Sequence, residues 1–282
     1  MVNAVVGIAK KEIMDNVRNK WIVLISVLFA SLTLVVSYFG SIFSEGWQDF
    51  GGTISGMMVY IQLMMPIIGL MLGYAAIVGE IERGSMGSLL SLPLTRSEVL
   101  LGKFLGLGGT LSLTILIGFG VAGVVIAVNV SGVNYVDYLI FIGATIFLGL
   151  VFLSLALFLS SLFKKRSTAM GGAIFLWFFF NMILPIILTG LLVADVGLKN
   201  LGSILSGEIS APIWYHELQL LNPLTPYSVL VSLNVKPVSI MQRDLPIPYP
   251  SFYTTEFMIS VLVVWITVFL CLTFWMFKDR DI

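Results

Sequence analysis

The sequence predicts an all-α membrane protein: six transmembrane helices, an N-terminal amphipathic interfacial helix, and both termini cytoplasmic. Three observations predict it. Only 11% of the 282 residues are charged, against about 25% in an average soluble domain. Apolar residues make up 58%, where about 45–50% is usual. Stretches free of Asp, Glu, Lys and Arg recur at 21–44, 50–79, 104–136, 138–163, 167–194 and 257–277, and about 20 apolar residues suffice for one bilayer crossing. A soluble enzyme of this length could not bury so much apolar surface beneath so few charges. With 15 basic and 15 acidic side chains, no basic excess is left to neutralise nucleic-acid phosphates, so no nucleic-acid partner is expected. One cysteine, Cys271, and one histidine, His216, make neither an intrachain disulfide nor a transition-metal set. No metal site, cofactor or catalytic set is therefore expected in this chain.

The elements follow in order within one transmembrane domain spanning residues 1–282. Residues 1–20 place Val2, Val5, Ala9, Ile13 and Val17 near helical spacing, with Lys10, Lys11, Asp15 and Arg18 mostly off that stripe. This predicts an amphipathic helix in the membrane interface, with Trp21 at the level of an aromatic belt. The first apolar run is too long for a signal peptide and lacks a clean cleavage site, so the first span is expected to be retained. Spans are expected at about 21–43, 56–79, 103–128, 138–162, 168–194 and 257–277, with an outer loop from Asn129 to Tyr135. Pro66 and Pro185 should kink the second and fifth. Gly69 and Gly73, and Gly102 and Gly106, are four apart and predict close helix packing. Residues 195–256 hold seven of the ten prolines. That predicts irregular backbone and short helices, packed on the helix ends or dipping into the interface and offering a surface to an extracytoplasmic partner.

Orientation follows from the basic residues. Six spans put both termini and the loops 80–102 and 163–167 on one side. That side holds 12 Lys and Arg against 3 on the other, so it is expected to face the cytoplasm.

No charged side chain lies in the middle of a span. That argues against an ion-coupled carrier or a voltage sensor. The milder polar groups Tyr60, Gln62, Tyr74, Asn181 and Thr189 read as helix-packing hydrogen bonders and as candidate lining of a translocation path. The methionines of the second span read as apolar filler. The nearest approach to a P-loop, Gly102-Lys103, has Ser97 in place of the first glycine and Phe104 in place of Ser/Thr. ATP hydrolysis by that route is therefore not expected here.

The informative stretch is 79–103. Glu80, Glu82 and Arg83 leave the membrane; Gly84-Ser85 signals a turn and helix start; Ser85 to Leu92 makes about two helical turns presenting Leu89 and Leu90. Pro93 stops them. Thr95-x-x-Glu98 is a capping box that starts the next helix, and Lys103 falls near the lipid boundary. Helix, short transverse helix and helix form a knob suited to a cleft in a cytoplasmic partner.

Gly79, Glu80, Glu82, Gly84, Ser85, Leu89, Leu90, Ser91, Pro93, Arg96, Glu98, Gly102 and Lys103 match in order the signature of type 2 ABC transporter permeases, which this chain resembles over most of its length. Within that family, Ala9-Lys10-Lys11-Glu12, Arg18-Asn19-Lys20-Trp21, Gly118-Phe119-Gly120 and Leu221-Asn222-Pro223 are similar to the permeases serving nitrous oxide reductase maturation. Those carry an acidic residue in the fifth span, and Asn181 to Pro185 has none. The resemblance implies a permease subunit, not itself an ATPase, in a prokaryotic cell membrane. It implies two copies working with a separate cytoplasmic ATP-binding cassette subunit that holds ATP and Mg, with export by alternating access as the pattern the resemblance implies. Gly79, Glu80, Glu82, Arg83, Gly84, Ser85, Leu89, Leu90, Pro93, Arg96 and Glu98 would then couple the chain to the ATPase. An ATP-independent channel or carrier, and a non-transporting subunit of an envelope maturation complex, are the alternatives.

Overall fold

The computed structural model describes residues 2–18, 20–39, 50–90, 93–129, 134–205, 209–235 and 249–278. Every regular element among them is helical. Lipid explains why: a spanning segment that cannot bond its backbone to water must satisfy it internally. The helices are α1 (Val2–Arg18), α2 (Trp21–Phe39), α3 (Phe50–Gly73), α4 (Val78–Glu82), α5 (Ser85–Leu90), α6 (Arg96–Asn129) and α7 (Tyr135–Leu162). They continue with α8 (Arg166–Phe178), a π-helical turn (Phe179–Ile183), α9 (Leu184–Leu205), α10 (Ile213–Gln219), α11 (Leu224–Asn234) and α12 (Thr255–Lys278). Five helical stretches are long and apolar enough to cross a bilayer: Ile54–Glu82, Arg96–Asn129, Tyr135–Leu162, Arg166–Ile204 and Thr255–Lys278. A sixth is completed by α2, which meets α1 at a bend of 68°. Lys20 stands at that corner with φ 55°.

The fourth span, α7, is the axis of the bundle. It packs on α3, α6, α8, α11 and α12, and 67% of its apolar window is buried, against 22% of the fifth span and 17% of the last. Those two outer spans present their apolar faces to whatever surrounds the chain. Lipid is as apolar as leucine, so association inside the bilayer rests on close packing and hydrogen bonds. Both are present. A Cβ built on Gly69 would lie 2.9 Å from the Gly149 carbonyl oxygen, and one on Gly73 would lie 2.7 Å from Ala156 Cβ. The spacing predicts this close approach, and α7 is the partner. The buried Tyr138 hydroxyl donates to the Phe119 carbonyl at 2.8 Å, tying α7 to α6. Asn134 caps α7, its side chain accepting from Val136 and Asp137 N–H.

The fifth helical stretch runs on to Leu205, past the expected end near 194. Gly197, at φ 79°, breaks its regularity. From 209 onward the proline-rich segment forms α10 and α11, and α11 packs on α7 and α12. Buried Tyr253 donates its hydroxyl to the His216 carbonyl at 2.7 Å, and burial lowers the His216 pKa from its ordinary value. The expectations that fall on residues 40–49, 91–92, 130–133 and 236–248 lie outside the described residues.

Candidate functional site

The stretch that sequence reasoning singles out folds as a corner: α3 ends at Gly73, a turn leads to α4, and α5 follows. Buried Ser160 of α7 holds the turn, its hydroxyl accepting from the Ile77 and Val78 N–H groups at 2.9 and 3.0 Å. Gly84 adopts φ 70° between α4 and α5. That left-handed conformation suits glycine, and it lets the chain reverse into α5. The Ser85 hydroxyl donates to the Glu80 carbonyl at 3.2 Å, closing the reversal.

Three side chains tie this corner to three other parts of the bundle. Glu80 meets Lys103 of α6 at 2.8 Å, and Lys103 meets Glu12 of α1 at 2.8 Å. Lys103 is 1% exposed, so the lipid-boundary lysine of the sequence reading lies inside protein. Glu82 accepts from the Arg166 N–H at 2.8 Å, and the Arg166 guanidinium donates to the Tyr74 hydroxyl at 3.1 Å. Beyond exposed Pro93, Arg96 donates to the Phe277 and Lys278 carbonyls at 2.6 and 3.0 Å, where the last span ends. Carbonyls at a helix C-terminus carry partial negative charge and favour a cation there. Thr95 and Glu98 form the capping box: the Thr95 N–H and hydroxyl each donate to Glu98 Oε2 at 2.8 Å, and the Glu98 N–H donates to Thr95 Oγ1 at 3.3 Å.

Gly79 is buried in α4, and Arg83 caps that helix from an exposed position. Leu89 and Leu90 are the last two residues of α5. The corner is thus a short helix, α5, on a base fixed to α1, α6, α7, α8 and α12.

The five polar candidates inside the spans do not converge on one pocket. Tyr74 sits at the corner beneath the Arg166 guanidinium, 5.6 Å above its ring. Asn181 donates to its own helix, at the Trp177 carbonyl. Tyr60 and Thr189 are exposed and Gln62 is half-buried. The second and fifth spans are nonetheless neighbours, joined where Trp177 Nε1 donates to the Leu63 carbonyl at 3.1 Å.

Sequence reasoning did not identify Glu12, Ser160, Arg166 or Asn222 as linking residues. Asn222 has the clearest logic. In the π-turn the Leu184 N–H reaches back to the Phe179 carbonyl, five residues away. In that register the next partner, for the Phe180 carbonyl, is Pro185, which has no N–H. Asn222 Nδ2 donates to the Phe180 carbonyl instead, at 2.8 Å. Its Oδ1 accepts from the Leu224 N–H at 3.1 Å and so starts α11.

Known proteins place this arrangement. The pattern of the family described as ABC-2 family transporter protein matches residues 6–282. A probable ABC transporter permease protein NosY of Stutzerimonas stutzeri is 35% identical over 291 residues, covering 99% of both chains. The protein of the same description in Pseudomonas aeruginosa is 41% identical over 196 residues, covering 67% of this chain and 71% of its own. The multi-pass helical bundle and these relatives agree: the chain belongs to the ABC-2 transporter family and is a multi-pass protein of the bacterial cytoplasmic membrane.

Proposed function

We propose that the chain is the permease half of an exporter whose energy comes from a separate cytoplasmic ATPase subunit carrying ATP and Mg. Two copies would enclose the transport path, along the second and fifth spans, and switch it by alternating access. The observation that carries this reading is the anchoring of α5. A transverse helix that receives a push transmits it only if its base is rigid, and Glu80, Glu82 and Arg96 each join the base to a different helix. The fifth span, with 22% of its apolar window buried, leaves a large face for the second copy. Residues 195–256 offer a surface for an extracytoplasmic protein.

The test is Leu89→Arg in the permease co-expressed with its ATPase. A charge placed in an interface hot spot weakens binding by about 2 kcal/mol or more, roughly 30-fold. The expected outcome is ATPase lost on co-purification, with the permease itself still monodisperse. Glu82→Lys should leave the ATPase bound and uncouple hydrolysis from transport. Normal binding and transport in both variants would remove α5 from the coupling role.

A further inference from the structure

The fifth span changes character at the π-turn. Before it, α8 packs on α3, α4 and α7; beyond it, α9 finds its main partner in α10. The turn itself is pinned, because the Phe180 ring meets Phe152 of α7 and Trp265 of α12 edge-on, with centroids 5.9 and 5.8 Å apart. Past the pin α9 has room. Ile186, Ile187 and Leu191 are exposed, and a Cβ built on Gly190 would meet nothing within 4 Å. A π-turn closes its hydrogen bond over one residue more than an α-helical turn; it is rare, and it recurs at functional positions.

The hydrogen bonds at this point admit two arrangements. In the one observed, the Leu184 N–H donates to the Phe179 carbonyl and Asn222 Nδ2 serves the Phe180 carbonyl. In an ordinary α-helix the Leu184 N–H would reach four residues back, to that same Phe180 carbonyl. Asn222 and Leu184 therefore compete for one acceptor. Pro185 has no N–H, so neither register completes its ladder: the π-turn leaves Phe180 without a helical donor, and the α-helix leaves Asn181 without one. Asn222 tips the balance, and it is held ready to do so. It is buried, its own N–H donates to the Gln219 carbonyl at 3.0 Å, and Trp265 Nε1 donates to the neighbouring Leu220 carbonyl at 3.4 Å. We infer that the fifth span is a register switch with Asn222 as its catch: when Asn222 lets go, Leu184 takes the Phe180 carbonyl and α9 turns about its own axis while α8 stays seated. The inference deepens the transport reading, on which the purpose of the switch rests. The outer half of a path-lining span then changes the face it presents, and the inner half keeps its tie to the corner through Arg166 and Glu82.

The experiment reads the distance between spin labels on Leu139→Cys of α7 and Ala194→Cys of α9, both exposed positions. It uses the full chain in lipid nanodiscs, in a Cys271→Ser background and diluted with unlabelled chain so that one pair is seen. The chain with Asn222 intact should give one dominant distance. Asn222→Ser still caps α11 with its hydroxyl but falls short of Phe180. It should raise the population of a second, discrete distance roughly tenfold, the weight of one hydrogen bond. Met182 is an exposed residue of the π-turn. Deleting it lets the Leu184 N–H meet the Phe179 carbonyl in α-helical register, so α9 keeps its observed setting with no second register to enter. Asn222→Ser carrying that deletion should lose the second distance. An unchanged distance in Asn222→Ser overturns the inference, and so does a continuous spread in place of a discrete second distance, which marks general loosening. Persistence of the second distance in the deletion chain overturns it as well; if that chain fails to fold, the discrete or continuous form in Asn222→Ser decides. No reading involves ATP or the ATPase, so failure of the switch and failure of the transport reading are distinct.

Discussion

Lys103 shows how far one residue's role depends on what lies opposite it. Its ammonium is shared between Glu12 and Glu80, each at 2.8 Å. Removing one member of a buried ion pair leaves a desolvated charge and costs about 3–5 kcal/mol. Lys103→Met should therefore lower the thermal midpoint of the detergent-solubilised protein sharply. Adding Glu12→Gln and Glu80→Gln to it should recover much of the loss, because no uncompensated charge then remains. A small shift in the single variant, equal to that of the triple, would show that the cluster holds little strain. Asn222 makes a similar argument with a neutral group. Asn222→Ala leaves the Phe180 carbonyl without its donor, at a cost of about 1–3 kcal/mol, and should lower the same midpoint. Neither partnership is visible in the local sequence. Lys103 finds Glu12 across 91 positions, and Asn222 finds Phe180 across 42. The proline that empties Phe180 of its ordinary donor is legible; the residue that fills the gap is not.

At the scale of an element, α1 is where pattern and packing part. The apolar stripe through Val5, Ala9 and Ile13 predicts a helix with one greasy face, and α1 is such a helix. The face it buries is centred instead on Ile8 and Glu12, while Val17 is 52% exposed. The reason is α6. A Cβ on Gly102 would lie 2.6 Å from Ile8 Cβ, and one on Gly106 would lie 2.7 Å from the Ala9 carbonyl oxygen. Two glycines on one face of α6 form a seat for α1, and Lys103 beside them makes Glu12 an inward residue. Periodicity read on α1 alone counts Glu12 as polar and turns the helix away from its true seat. Gly106→Val should lift α1 from α6, because the clash is with backbone. The measurement is limited proteolysis, with cleavage near residues 10–20 expected to accelerate. Gly7→Val is the control: a Cβ there meets nothing within 4 Å, so its cleavage should match the wild type.

The whole molecule carries its orientation in its charges. The six uncharged stretches were legible as helices because lipid permits little else, and the capping box at Thr95 and Glu98 was legible because both halves are local. Which end faces the cytoplasm depends on the sum rather than on any contact. The ends and loops on the side of 79–103 hold 12 basic and 7 acidic residues, and the opposite side holds 3 and 8, so a formal charge of zero separates into +5 and −5. Basic loops resist translocation, so the expected orientation has α5, Arg166 and the end of α12 on the cytoplasmic side. Single cysteines test this in a Cys271→Ser background, since Cys271 is exposed and would confuse the labelling. Thr168, in the first turn of α8, and Ser251, in the turn before α12, are both exposed, and the expected topology sets them on opposite sides. In intact cells a membrane-impermeant maleimide should label Ser251→Cys and spare Thr168→Cys; after permeabilisation both should label. The reverse pattern would set α5 outside the cell, beyond reach of any ATP-driven subunit. It would then leave the ion-paired corner a purely structural joint.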